Sequence, residues 1–149
     1  MTGPRQRTEL GILLFVANRA LEQRAFDAVV AAGITDITLA QARIAARIAP
    51  DGSRVSDLAE QARVTKQSAA ALVEQLEKAG YVERVPDPTD GRARLVRLTP
   101  RSQRIAEVAD AEVERVLAEW ADLVGEDRLQ QLYETLRDLR GVTDPWWHT

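Results

Sequence analysis

The chain has 149 residues, enough for one domain or one domain with an attached interface element. With 45% hydrophobic but only 5% aromatic residues, its usage favours helices packed on aliphatic side chains over a β-sandwich; with no cysteine, it excludes disulfides, thiolate metal sites and thiol redox sensing. The net charge of −3 is unevenly spread: residues 84–104 hold six basic and two acidic residues while 105–149 hold four and eleven, so the acidic total does not exclude a polyanionic partner.

The first residues, MTGPRQRTELG, carry no sustained apolar signal region, and no apolar run reaches the roughly 18 residues of a membrane span. A soluble cytoplasmic protein with no membrane partner is expected. From Thr8 to about Ala32, apolar residues at Leu10, Leu13, Leu14, Ala17, Leu21, Ala25 and Ala28 recur at helical steps, with Gly33 as a stop. Thr38-Leu39-Ala40-Gln41 has the spacing of a capping box for a short second helix that Pro50 ends.

Asp51-Gly52-Ser53 is read as a turn, and Ser56 as the cap of a brief helix from Asp57 to about Ala62. Thr65 then caps a helix with Ala69, Leu72, Val73 and Leu76 on one face, closed by Ala79-Gly80. Two helices joined by so few residues predict a helix-turn-helix. Tyr81–Val85 and Arg94–Leu98 are β-prone, and the Pro, Asp and Gly between them make a hairpin. Thr99-Pro100 opens a long helix to about Val124; Gly125 breaks it, and Leu129, Leu132, Tyr133, Leu136 and Leu139 define a last helix ended by Gly141. The expected fold is mainly α with one small hairpin, in the order α-α-α-α-β-β-α-α.

A hairpin directly after a helix-turn-helix is the winged-helix arrangement, in which one helix enters the DNA major groove and the wing reaches beside it. The segment VSDLAEQARVTKQSAAALVEQLEKAGYVERVPDPTDGRARLVRL, Val55–Leu98, resembles the multiple antibiotic resistance regulator (MarR) family of transcription factors. The number and length of the outer helices agree with it. The resemblance implies a single winged-helix domain over residues 1–149, with a DNA-binding core at 36–100 and dimerisation helices at 8–33 and 100–141. It further implies a homodimer on double-stranded DNA, commonly a repressor released by a small amphipathic or phenolic effector.

The family's wing motif Asp-x-Arg matches Asp90-Gly91-Arg92, which implies that Asp90 holds the loop and Arg92 enters the minor groove. Arg84 and Arg94 are the next candidates, for backbone phosphate, and Ser56 caps the supporting helix near the DNA. In the recognition helix the first turn, Thr65, Lys66, Gln67 and Ser68, has the polar residues that base reading needs. Ala70 and Ala71, however, stand where many family members place a hydroxyl or a long basic side chain. Modest direct readout, with reliance on phosphate contacts and groove shape, is therefore expected.

The alternatives are plainer. The arginines are otherwise a solvated strand face, and the leucines of the outer helices are core or dimer seam. Trp120 packs in its helix or lines a ligand pocket, Trp146 and Trp147 dock in the dimer, and His148 lies at a frayed end. The acidic residues Glu107, Asp110, Glu112 and Glu114 read as a solvated helix face, because neither His nor a basic clamp accompanies them. No phosphate loop, nucleophile elbow or zinc signature occurs, so neither an enzyme nor a cofactor is expected. A winged helix that binds protein in place of DNA is the competing reading.

Overall fold

The computed structural model describes residues 4–146, with side chains from residue 8 onward. Six helices and one hairpin follow in the expected order: α1 (Pro4–Ala31), α2 (Leu39–Ala45), α3 (Val55–Ala62), α4 (Lys66–Lys78), β1 (Val82–Asp87), β2 (Asp90–Leu98), α5 (Pro100–Val124) and α6 (Glu126–Thr143). Trp147 and His148 lie outside the described residues. The chain forms two compact units, one over residues 29–109 and the other from the rest of α1 with residues from 110 onward.

The unit over 29–109 holds a closed core. Ile37, Ile44 and Ile48 around α2, Leu58 and Ala59 of α3, Ala69, Val73 and Leu76 of α4, and Tyr81, Val82 and Val96 of the hairpin are all buried. Local chemistry sets each element in place. Thr38 and Gln41 form both halves of the capping box that starts α2, and Gln41 also reaches Gln75 of α4 at 2.8 Å. Past Ala46 the backbone bonds shorten to a three-residue span at Arg47 and Ile48, so α2 ends well before Pro50.

Between α3 and α4 the turn is made by Arg63 in the left-handed conformation (φ 57°), with Val64 N–H returning to the Ala59 carbonyl. The sequence predicts a helix capped by Ser56, and the structure corrects this: α3 begins at Val55, and Arg54 holds the extended cap position without a side-chain cap bond. Ser53 could not serve either, because its hydroxyl already accepts from Ala49 N–H and its backbone pairs with Val96 on β2. That pairing makes Ser53 a third partner of the hairpin and lays Gly52 (φ 103°) against Leu95.

The hairpin is longer than expected, and its two strands run on to the turn residues Pro88 and Thr89. The register runs from Val82↔Leu98 to Pro86↔Arg94 and then jumps to Asp87↔Asp90. Gly91, Arg92 and Ala93 are the unpaired residues of the resulting bulge. At the base of the hairpin, Tyr81 O–H donates to Asp36, Arg101 Nη2 reaches the same carboxylate at 3.1 Å, and the Arg101 guanidinium lies 5.1 Å from the Tyr81 ring centroid. Thr99, expected as the cap of α5, donates its hydroxyl to the Gly80 carbonyl at 2.6 Å and so ties the start of α5 to the end of α4.

The second unit has little interior of its own. Val116 is its one buried apolar side chain among the described residues. Its polar contacts are better developed: Arg24 of α1 donates to Glu112 at 2.7 and 3.0 Å and to Glu119 at 3.0 Å, and Arg115 also donates to Glu112. Glu112 is therefore buried and paired, which corrects the reading of it as part of a solvated face. Both cations hold its carboxyl below the ordinary carboxylate range, Arg24 most strongly. Gly141 does not end α6; its φ is not positive, and the helix continues to Thr143, where Asp144 leaves the helical conformation. Trp120 and Trp146 are half-buried.

Candidate nucleic-acid interface

The first turn of α4 is built on Thr65, whose hydroxyl accepts from Ser68 N–H at 3.0 Å and donates to Ser68 Oγ at 2.9 Å. Ser68 Oγ accepts that proton, which leaves its own hydroxyl hydrogen to donate elsewhere. Lys66, Gln67, Ala70 and Ala71 are exposed, while Ala69, Val73 and Leu76 face the core. One side of the helix thus anchors it and the other presents a short polar turn followed by two methyl groups. Lys66 makes no ion pair among the described residues.

The wing tip is organised from two carboxylates. Asp90 Oδ1 accepts from Arg92 N–H at 3.0 Å, a local turn that fixes the backbone from which the Arg92 side chain leaves. Asp87, 6% exposed, uses both oxygens: Oδ1 accepts from Thr89 N–H at 2.8 Å and Thr89 Oγ1 at 2.7 Å, and Oδ2 accepts from Arg54 Nε at 3.0 Å and Nη2 at 2.7 Å. The two Thr89 bonds, with Arg54 adding to them, lower the Asp87 carboxyl to about 2. It is ionised throughout the physiological range.

The arginines divide by partner. Arg84 is paired with Glu77 at 2.9 Å and Arg97 with Glu83 at 2.6 Å, so much of their charge is answered within the protein. Arg94 donates to the Arg84 carbonyl at 3.1 Å and has no carboxylate partner among the described residues. Arg92 is exposed and its guanidinium has no partner among them at all. Of the residues singled out from the sequence, Thr65, Lys66, Gln67 and Ser68 share the exposed first turn of α4, and Asp90 and Arg92 share the wing tip. Arg94 follows on β2, Arg84 is diverted to α4, and Ser56 sits half-buried in the first turn of α3 without the cap role. Sequence reading missed Arg54, Asp87 and Tyr81: their partners lie 33 or 45 residues away, beyond any local pattern.

A helix-turn-helix with a bulged, arginine-bearing hairpin behind it places the chain in the winged-helix class of DNA-binding folds. The MarR family model matches residues 35–93, from before α2 through the wing tip. The transcriptional activatory protein BadR of Rhodopseudomonas palustris is 30% identical over 94 residues, 63% of this chain and about half, 53%, of BadR's length. The HTH-type transcriptional regulator FarR of Neisseria gonorrhoeae is 29% identical over 110 residues, 73% of this chain and 75% of FarR. The crystal structure of NadR in complex with 4-hydroxyphenylacetate superposes with a TM-score of 0.66 at 28% identity, over 87% of this chain and 91% of that one. Over residues 35–93 the chain matches the MarR family, and it is similar in sequence and fold to transcriptional regulators of that kind.

Proposed function

We propose that this chain is a homodimeric DNA-binding regulator, a repressor that leaves its operator when a small amphipathic or phenolic ligand binds. The observation that carries the reading is the pairing of an unpartnered Arg92 on a braced wing with the exposed Thr65–Ser68 turn of α4. Arg92 enters the minor groove, where negative potential is highest when the groove is narrow, while Gln67 and Ser68 meet base edges in the major groove. Lys66 and Arg94 meet phosphates. Arg84 contributes less, because Glu77 already answers its charge. Residues 36–100 form the DNA-binding core.

The dimer is supported by what the second unit leaves in water. Leu10, Ile12, Leu13, Leu14, Phe15 and Val16 of α1, and Leu132, Tyr133, Leu136 and Leu139 of α6, are all exposed in the single chain. In α1 six of seven consecutive residues are apolar, so its surface is apolar around the helix instead of along one stripe, the pattern of a helix enclosed on all sides. Residues 8–33 and 100–141 therefore make the interface with a second copy. Dimeric symmetry places the two α4 helices in successive major grooves, with half-site centres roughly 10 bp apart.

A phenolic acid in the NadR complex supports the class of effector. Control then requires that the ligand favour the dimer geometry that does not fit DNA. The match to the MarR family over residues 35–93 supports a regulator without catalytic activity, and no helix among the described residues is long and apolar enough to cross a membrane. If six to ten phosphates are neutralised, affinity should fall roughly 10³- to 10⁵-fold between 50 and 200 mM salt. Titration of labelled duplex at those two salts tests the reading, and salt-independent binding would refute it.

A further inference from the structure

Arg54 and Asp87 sit outside every motif that points to DNA, yet they join its two halves. Arg54 occupies the cap position of α3, the first helix of the helix-turn-helix, and grips Asp87 at the end of β1 through two bonds to one oxygen. The other oxygen of Asp87 holds Thr89 in the turn, Asp87 is in register with Asp90, and Asp90 holds the Arg92 backbone. Side-chain hydrogen bonds, joined by the Asp87–Asp90 strand pairing, thus run from α3 to the bulge that carries Arg92.

We propose that Arg54 and Asp87 are positioning residues for DNA recognition: they fix the wing tip, and with it Arg92, relative to the helix-turn-helix, without touching DNA themselves. This rests on the reading that Arg92 meets DNA. A bulged two-stranded tip attached only through its strands would otherwise sample a range of angles, and each ordering of Arg92 would be left to the moment of binding. The buried carboxylate removes that freedom in the free protein.

The proposal makes a prediction whose sign differs from simple electrostatics. Replacing a carboxylate near a polyanion by a neutral amide should strengthen binding if charge alone matters. If Asp87 positions Arg92, Asp87→Asn weakens binding instead. The experiment measures affinity, by anisotropy at fixed salt, for a duplex selected from a random pool by the wild-type protein, with wild type, Asp87→Asn, Arg92→Ala and the double variant, beside their thermal unfolding. The expected result is a loss of at least about fivefold for Asp87→Asn, within the range that coupled neighbours display, and no further loss when it is added to Arg92→Ala.

Unchanged or tighter binding by Asp87→Asn overturns the proposal, as does a loss of equal size in the Arg92→Ala background, which would mark a merely structural role. Should Asp87→Asn lack a cooperative unfolding transition, Arg54→Lys carries the same test: it keeps the charge, lies at a side chain 43% exposed, and loses the two-bond grip. The same coupled loss is expected, and its absence overturns the proposal. A wild type that selects no duplex, or that is indifferent to Arg92→Ala, removes the proposed function and this inference together. A wild type sensitive to Arg92 but indifferent to Asp87 and Arg54 removes this inference alone.

Discussion

Arg92 and Asp87 lie five residues apart in the wing and have opposite environments. Arg92 projects into solvent from a bulge and contributes nothing to the core, so Arg92→Ala should lower DNA affinity at least about tenfold while shifting the melting temperature by less than a degree or two. A comparable loss of thermal stability would assign the side chain to the fold. Asp87 is inaccessible and fully bonded, and its folded-state value of about 2 lies below the ordinary 3.8. A depressed carboxylate stabilises the fold fully above the unfolded value, and that contribution disappears as pH falls from about 4 toward 2. Asp87→Asn should therefore flatten, without abolishing, the acid limb of a melting curve taken between pH 2 and 7, since Asp36 and Glu112 are depressed as well. Parallel acid limbs in wild type and variant would contradict this.

Among the elements, Gly52 joins the turn before α3 to β2. Its φ of 103° and the 2.9 Å approach that a Cβ would make to Leu95 Cβ allow no side chain without displacement. Gly52→Ala should cost about 1–3 kcal/mol, read by urea denaturation; a change below half a kilocalorie would show that the turn yields readily. Elements whose rules are local were legible in the sequence: the capping box at Thr38, the Thr65 cap, the apolar period of α4, and the glycine stops at Gly33, Gly80 and Gly125. Others were hidden for stated reasons. The helix-turn-helix turn uses Arg63 in a conformation that normally announces itself as glycine. Ser53 pairs with a strand 43 residues later, and Gly141 sits in a helix that has no need of it as a stop. At the candidate site the polar first turn of α4 was legible from residue types and position, and Asp90 and Arg92 from their resemblance to a family wing motif, while Arg54–Asp87 was not, because an ion pair at such separation leaves no periodic trace.

For the whole molecule, the distribution of burial is the informative quantity. Twelve of the thirteen buried apolar residues among those described belong to the unit over 29–109, so that unit has a core and the other lacks one. A partner chain supplies what is missing in the proposed dimer. Phe15→Asp, at a position 63% exposed in the single chain, should leave the core unit folded but shift the protein from dimer to monomer in light scattering, and weaken operator binding with it. A variant that remained dimeric would move the interface away from α1.

The central claim, that a braced wing and the first turn of α4 together meet DNA, is tested most directly by anisotropy titration of the selected duplex at 50 and 200 mM salt, with wild type and Arg92→Ala side by side. The account predicts tight wild-type binding that weakens roughly 10³- to 10⁵-fold with salt, and a variant whose affinity is lower at both salts and whose salt slope is shallower by about one charge. Binding that is flat in salt, or equally strong with and without Arg92, would contradict it and point to a winged helix whose partner is protein.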